Sequence, residues 1–386
     1  MRRSNPFSPN TSPAIAWNRR EFLRATAAIA SASPLFGLAS MRAAALPRQQ
    51  KAVVVTFGGG ARDQETFAPE GHENIPGLLQ TLFPKSTFFA QVVNHGILGH
   101  YVATSSIATG VYETFNNFTG SPPQSPTVFE YFRKGLNRPA SDSWVVAPSN
   151  GFGRIGESTA RGFGPGYGAG VILPRQLLSA VSPGQSMSDL ARWTRDSYEE
   201  PHSAVNTVSN EANLHQLEQV LKLSVNDFTQ HARSLSSADE LSVYIARQLM
   251  RQNAPSLLWI TLHDIDIAHS GAYSLYIDGI QRSDRLCVEI WNAIQSDPEY
   301  AGKTTLFILP DFGRDSDTNA GGNGFQHHRT GDPQSRTTWM MVLGPGIRQG
   351  AFIERRVDSL DLVPTLGKLL GFPTPLVHGT PLPEVV

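Results

Sequence analysis

The sequence predicts an α/β protein with a mostly parallel central sheet and helices on both faces. Three observations carry that expectation. Residues Lys51–Phe57, Leu257–Leu262 and Thr305–Leu309 are continuous apolar or β-branched runs, as in strands covered on both sides. Segments with helical spacing alternate with them, the pattern of a sheet wrapped by crossover helices. Several of the apolar runs end abruptly in glycine or in Asp and His, and the carboxyl ends of such strands are where α/β proteins put their chemistry.

In chain order, Lys51–Phe57 opens into Gly58-Gly59-Gly60. Backbone N–H groups of such a loop can cradle phosphate, but no Lys-Ser/Thr follows, so a tight strand exit is the better account. Arg62 and Asp63 lie just beyond. Ile75, Leu78, Leu79 and Leu82 have helical spacing, so a helix is expected over Asn74–Phe83, with Pro76 in its first turn. Thr87–Val93 reads as the second strand, and the loop Asn94–His100 leads to a helix over Val102–Thr109 that Gly110 ends. Residues 115–185 are rich in Gly, Pro, Ser and Asn and read as long loops, with a buried strand near Trp144–Ala147. Residues 187–252 read as mostly helical, and their His215 and His231 as solvated positions. Ser274–Ile294 reads as an amphipathic helix, Trp339–Leu343 as a strand and Leu360–Leu370 as the last helix.

The stretch Leu262-His263-Asp264-Ile265-Asp266-Ile267-Ala268-His269 leaves a strand end with two aspartates and two histidines. Carboxylate and neutral imidazole are good ligands for divalent metals, while a capping Asp in a surface turn is the plainer alternative. Two further polar clusters follow buried runs, Asp311/Arg314 and His327/His328. Three such clusters favour a metal centre, because no single loop can surround an ion.

The chain has 386 residues and is 40% hydrophobic, enough for a sizeable core. Its one cysteine, Cys287, excludes an intramolecular disulfide framework and a cysteine-rich zinc site. Residues 1–45 carry six arginines and one acid, Glu21, so of the overall charge of -1 they hold +5 and the remainder -6. That balance offers no general reason to bind nucleic acid. Asn18-Arg19-Arg20-Glu21-Phe22-Leu23-Arg24, the Ala-rich run to about Ser40 and Ala43-Ala44-Ala45 have the pattern of a twin-arginine export signal with its cleavage site. Residues 1–45 are therefore expected to meet the twin-arginine translocase. The mature protein, about residues 50–386, is expected in the periplasm or outside the cell. It would have no membrane span and would carry a loop and helical insertion at about 115–250.

These pieces together resemble the alkaline phosphatase superfamily, which includes sulfatases and phosphodiesterases. His72-Glu-Asn-Ile-Pro-Gly-Leu-Leu resembles the sulfatase helix after the first strand, and Ser106-Ile-Ala-Thr-Gly-Val-Tyr112 the end of the nucleophile-bearing helix. Val357–Pro373 with His378-Gly-Thr-Pro-Leu382 resembles the sulfatase C-terminal signature. The resemblance extends to a twin-arginine-exported branch through Phe312-Gly-Arg314, His327-His328 and Val342–Arg348. It implies a fold of alkaline-phosphatase type and hydrolysis of a phosphate or sulfate ester, on an anionic small molecule or a glycan. A divalent metal (zinc, manganese or calcium) would assist. One metal would be held by Asp266, His269 and His328. The spacing Asp266-x-x-His269 is one residue short of the family's, which leaves Asp264 as an alternative ligand. A second metal would use Asp311, but Gly58-Gly59-Gly60 stands in place of its first Asp, with Asp63 a conceivable substitute, and Phe312 in place of its His. The nucleophile position falls on His100, as nucleophile or general acid/base, with Arg314, Arg62 or Arg329 holding the anion. Two functional readings follow: a metal-dependent hydrolase with one well-formed site, or a degenerate member of the fold that binds a ligand or partner.

Overall fold

The computed structural model describes residues 50–119, 121–181 and 214–386. The expected export signal lies outside them, as does part of the expected helical region at 187–252. Eight strands form one sheet: β1 Lys51–Phe57, β2 Thr87–Val93, β3 Ser143–Val146, β4 Gly170–Ile172, β5 Leu257–Leu262, β6 Thr304–Pro310, β7 Thr337–Leu343 and β8 Ala351–Asp358. Their order is β4-β3-β5-β1-β6-β7-β2-β8. All neighbours are parallel except β7, which runs antiparallel to both β6 and β2. This is the mostly parallel, helix-covered sheet that the sequence predicts.

The continuous apolar runs are explained by burial on both faces. Val53, Val55, Leu258, Ile260, Leu306 and Ile308 point to one side, whereas Val54, Trp259 and Phe307 point to the other. Helices of eight or more residues are numbered α1 His100–Thr109, α2 Val128–Leu136, α3 Pro174–Val181, α4 Val225–Ala232, α5 Ala238–Asn253, α6 Tyr273–Ser296 and α7 Leu362–Leu370. Leu241, Ile245 and Leu249 of α5 and Ile280, Ile290 and Ile294 of α6 cover the first face. Ile107 of α1, Val128 and Phe132 of α2 and Val363 and Leu366 of α7 cover the second.

Three features depart from the sequence reading. After a tight turn at Pro69–Asn74, the helix expected over Asn74–Phe83 forms at 76–85, but with a wide turn at Leu78–Leu82 and a tight one at Phe83–Lys85 in place of regular α geometry. The Asp284 carboxylate of α6 accepts from Gly77 N and Leu78 N and so starts the second turn from outside. The apolar set is buried all the same. Strands β4 and β8 had no counterpart in the reading. Both are edge strands with partly exposed residues, so neither shows a continuous apolar run. β8 carries Arg355 and Arg356 on its exposed positions, the charged rim that deters edge-to-edge pairing. Helix α1 begins two residues earlier than expected, at His100, and Gly110 closes it in the left-handed conformation, φ 70°. His215 and His231 are exposed, as expected of them. No described helix is long and apolar enough to cross a membrane.

The topology gathers one edge. β1, β5, β6 and β2 all end there, at Gly58, His263, Asp311 and Asn94. β7 runs the other way, so the loop carrying His327 and His328 arrives at that edge before β7 begins.

Candidate metal centre

Asp266 is the hub of this edge. It lies in the turn Asp264–Ser270 that follows β5, and Asp239, at the start of α5, holds that turn. The Asp239 carboxylate accepts from His263 N at 2.7 Å and from Asp264 N at 2.9 Å. Burial, and then the neighbouring Asp264 charge, push its carboxyl up to about 7 against the pull of those donors. The glycine loop makes room for the turn. A Cβ on Gly59 would stand 2.5 Å from Asp266 N and 3.0 Å from the Ile265 carbonyl carbon. Gly58-Gly59-Gly60 is thus a tight strand exit against which another backbone lies.

Around Asp266 Oδ1 stand Arg314 Nη2 at 2.9 Å, His100 Nε2 at 3.1 Å and His269 Nε2 at 3.3 Å, while His263 Nε2 lies 3.4 Å from Oδ2. His269 Nε2 is 3.0 Å from His328 Nε2. Ligating atoms of His100, His269 and His328 lie within 4.8 Å of one another. A tetrahedral ion with metal–nitrogen bonds near 2.0–2.1 Å has ligand–ligand edges of roughly 3.3 Å. The His269–His328 and His269–Asp266 separations are close to that edge.

His328 has the tautomer a ligand needs. Its Nδ1 lies 2.8 Å from the Leu98 carbonyl oxygen, which can only accept, so Nδ1 carries the proton and Nε2 presents a lone pair. Burial first, then the charges of His100, Arg314 and His269, hold this imidazole neutral by lowering its pKa to about 2. Burial opposes ionisation of Asp266, but His100 and the hydrogen bonds from His100, His263 and His269 keep its carboxyl well below the usual range. An ionised carboxylate, a neutral His328 imidazole and a second imidazole beside it are a donor set that fits a divalent cation.

His100 is different in kind. It is 1% exposed and stacks on Phe312, ring centroids 4.6 Å apart at 16°. Its Nδ1 faces Asp311 Oδ2 at 2.7 Å and its Nε2 faces Asp266 Oδ1 at 3.1 Å. Two carboxylates, one on each ring nitrogen, call for two N–H donors. Burial alone would lower the His100 pKa, but Asp311 and Asp266 outweigh it and raise it to about 9. Asn117 Oδ1 accepts from Tyr101 N at 2.9 Å and secures the helix start that carries the ring.

No family model matches the chain, and no curated protein sequence matches it. Solved structures do. Alkaline phosphatase PafA superposes with a TM-score of 0.55 at 12% identity, over 89% of this chain and 100% of that one. The phosphonate monoester hydrolase SpPMH from Silicibacter pomeroyi gives 0.53 at 12% identity, over 86% and 75%. The chain has the alkaline-phosphatase fold. The lipoteichoic acid synthase LtaP from Listeria monocytogenes shares it more distantly, with a TM-score of 0.51 at 10% identity, over 88% of this chain and 76% of that one. Identities this low establish the architecture alone.

Within the alkaline-phosphatase fold, the residues singled out in the sequence are placed as follows. Asp266 Oδ1 and His328 Nε2 each lie beside His269 Nε2, at 3.3 and 3.0 Å. Asp311 stands behind His100, its other oxygen accepting from Phe312 N at 3.0 Å. Arg314, expected at the substrate, is fully buried and donates to the carbonyls of Gly59 and Phe325 and to Asp266. Arg62 is taken up by Glu65 and Asp317, and Arg329 by Asp315. Asp264 pairs with Arg282 Nη1 at 3.1 Å, which makes Asp266 the carboxylate that faces the histidines. His327 is exposed. Sequence reasoning placed His263 in the polar stretch after β5 without a role of its own, and it missed Asp239 and the Leu98 carbonyl. His263 had a signal, as the first polar residue after β5. The other two had none, because Asp239 lies 24 residues from His263 and Leu98 lies 230 residues from the His328 ring it holds.

Gly59→Ala is expected to force the Asp266 turn away from β1, since the clash is with backbone. Metal affinity should fall about tenfold or more, in the range seen when supporting groups of a metal site are disturbed. Competition titration with a metallochromic chelator would measure it.

Proposed function

We propose that this protein is an exported, metal-dependent hydrolase of a phosphate or sulfate ester, working with one metal ion held by Asp266, His269 and His328. The observation that carries the proposal is the His328 ring, fixed by Leu98 so that the lone pair of its Nε2 faces His269 Nε2, which itself lies beside Asp266. The fold neighbours include an alkaline phosphatase and a phosphonate monoester hydrolase, which favours phosphorus esters. Bound there, a divalent ion would supply Lewis-acid polarisation of the ester oxygen.

The chain's own residues supply the rest. With a carboxylate on each ring nitrogen, His100 has neither an outward lone pair for nucleophilic attack nor a free N–H, so we assign it as a fixed positive charge beside the reacting group. Asp311 orients it. Arg314 and His100 already balance Asp266 and Asp311, which is why the proposal takes one ion and not two. His269, the most exposed of the metal-facing histidines at 33% of its side chain, marks the side from which an ester would approach. The expected setting is the periplasm or exterior, after passage through the twin-arginine translocase.

A second reading, a ligand- or partner-binding protein of the same fold, is favoured by one observation. Thr104, Ser105 and Ser106, the aliphatic hydroxyls nearest His100 along α1, are all buried at 1% exposure or less. None of them is available as a nucleophile.

Elemental analysis of protein purified without chelator should find about one equivalent of divalent metal per chain. Less than about a tenth of an equivalent ends the hydrolase reading. With metal present, turnover of aryl phosphates, phosphodiesters or aryl sulfates supports the enzyme, and metal without turnover supports the binding protein. If there is turnover, Asp311→Asn should lower kcat about 10- to 100-fold with KM little changed, because it loosens His100 without touching the metal-facing residues.

A further inference from the structure

We propose that a second, separate cavity binds a phosphate-rich anion such as a di- or polyphosphate. It lies between α4, α5 and α6, with a volume of about 660 Å³. That is within the range of small-molecule sites, roughly 300–1,000 Å³. Arg247 and Arg251 reach it from α5, and Arg282 and Arg285 from α6. The spacing explains the convergence. Positions 244, 247, 248 and 251 form one face of α5, and 282, 285, 286 and 289 form one face of α6.

The carboxylates present do not neutralise this set. Arg247 pairs with Glu289. Arg282 is held by Asp264 at 3.1 Å, with Glu240 at 3.8 Å. The Glu240 carboxylate is further engaged by Ser236 N and Oγ. Arg251 and Arg285, both exposed, form no ion pair among the described residues. Arg251 and Arg285 leave the cavity wall with an excess of positive charge, which an anion with two or more charges can meet through charge-assisted hydrogen bonds. On the α4 side the wall is a stacked ring pair, His231 on Tyr244, with centroids 3.8 Å apart and planes at 27°. A concave wall lets one small ligand meet several guanidiniums at once. A flat anionic surface would reach only the outer two.

This proposal is independent of the metal centre, and its test keeps the two apart. Pyrophosphate is titrated calorimetrically into chelator-treated full-length protein, into His328→Ala and into the double variant Arg251→Glu/Arg285→Glu. Saturable one-to-one binding is expected in the first two, weakened about tenfold or more in the double variant. The double variant should melt no lower than the parent without ligand, since a like-charge cluster has been removed. Unsaturable binding, or an affinity that the double variant leaves unchanged, overturns the site. So does binding that is lost in His328→Ala. Capture by phosphatidylglycerol vesicles with no pyrophosphate binding overturns the small-ligand assignment in favour of a membrane surface.

Discussion

His328→Ala should cost the protein its metal and its ester hydrolysis together. The residue brings one of the two imidazole nitrogens that stand 3.0 Å apart, and its other nitrogen is tied to Leu98. Alanine removes a ligand and leaves space that water fills, with no donor to replace the nitrogen. Metal polarisation contributes several kcal/mol to such reactions, so kcat/KM should drop by roughly 10²–10⁴. Metal content after dialysis should fall from about one equivalent to below about a tenth. Measuring both on the same preparation decides the matter. Full activity at vanished metal content would show that the ion is not part of the chemistry, and unchanged metal content would show that it sits elsewhere.

Arg314→Met should be the most destabilising single change at the centre. The guanidinium is fully buried and is shared by Asp266 and two backbone carbonyls. Methionine fills much of the volume but supplies no donor. Asp266, 3% exposed in its side chain, then keeps a buried charge with less compensation. Breaking a buried pair from one side typically costs about 3–5 kcal/mol, which for a chain of this size is a fall in Tm of roughly 5–15 °C. Thermal melts in the presence of chelator isolate this from metal loss. Asp266→Asn in the same background should recover part of the loss, because it removes the charge that Arg314 balances. A double variant that melts as low as Arg314→Met alone would show that the arginine acts through its packing and carbonyl bonds instead.

The contrast between these residues shows where sequence reasoning reaches its end. Asp266 and His269 sit on one turn, three residues apart, so their convergence could be expected from the chain alone. His328 follows 59 residues later, and its ring is aimed by a carbonyl from yet another loop. Arg314 is the instructive case. A positive charge just after a strand end suggests contact with an anionic substrate, yet a guanidinium carries five donors, and inward carbonyls can satisfy them as well as a substrate can. Sequence carries no signal for which of the two is nearer.

The sequence by itself determined the central strands β1, β5 and β6, because burial on both faces demands unbroken apolar runs. It also determined that the acids and imidazoles cluster at strand ends. Tertiary structure alone decided the edge strands β4 and β8, whose half-exposed residues look like loop, and the reversed direction of β7, which is set by its connection and not by its composition. It alone decided that His100 stands between two carboxylates while Arg314 turns inward. Hydrogen-bond partners for a buried charge come from wherever the chain happens to pass, and that path is a property of the packed molecule.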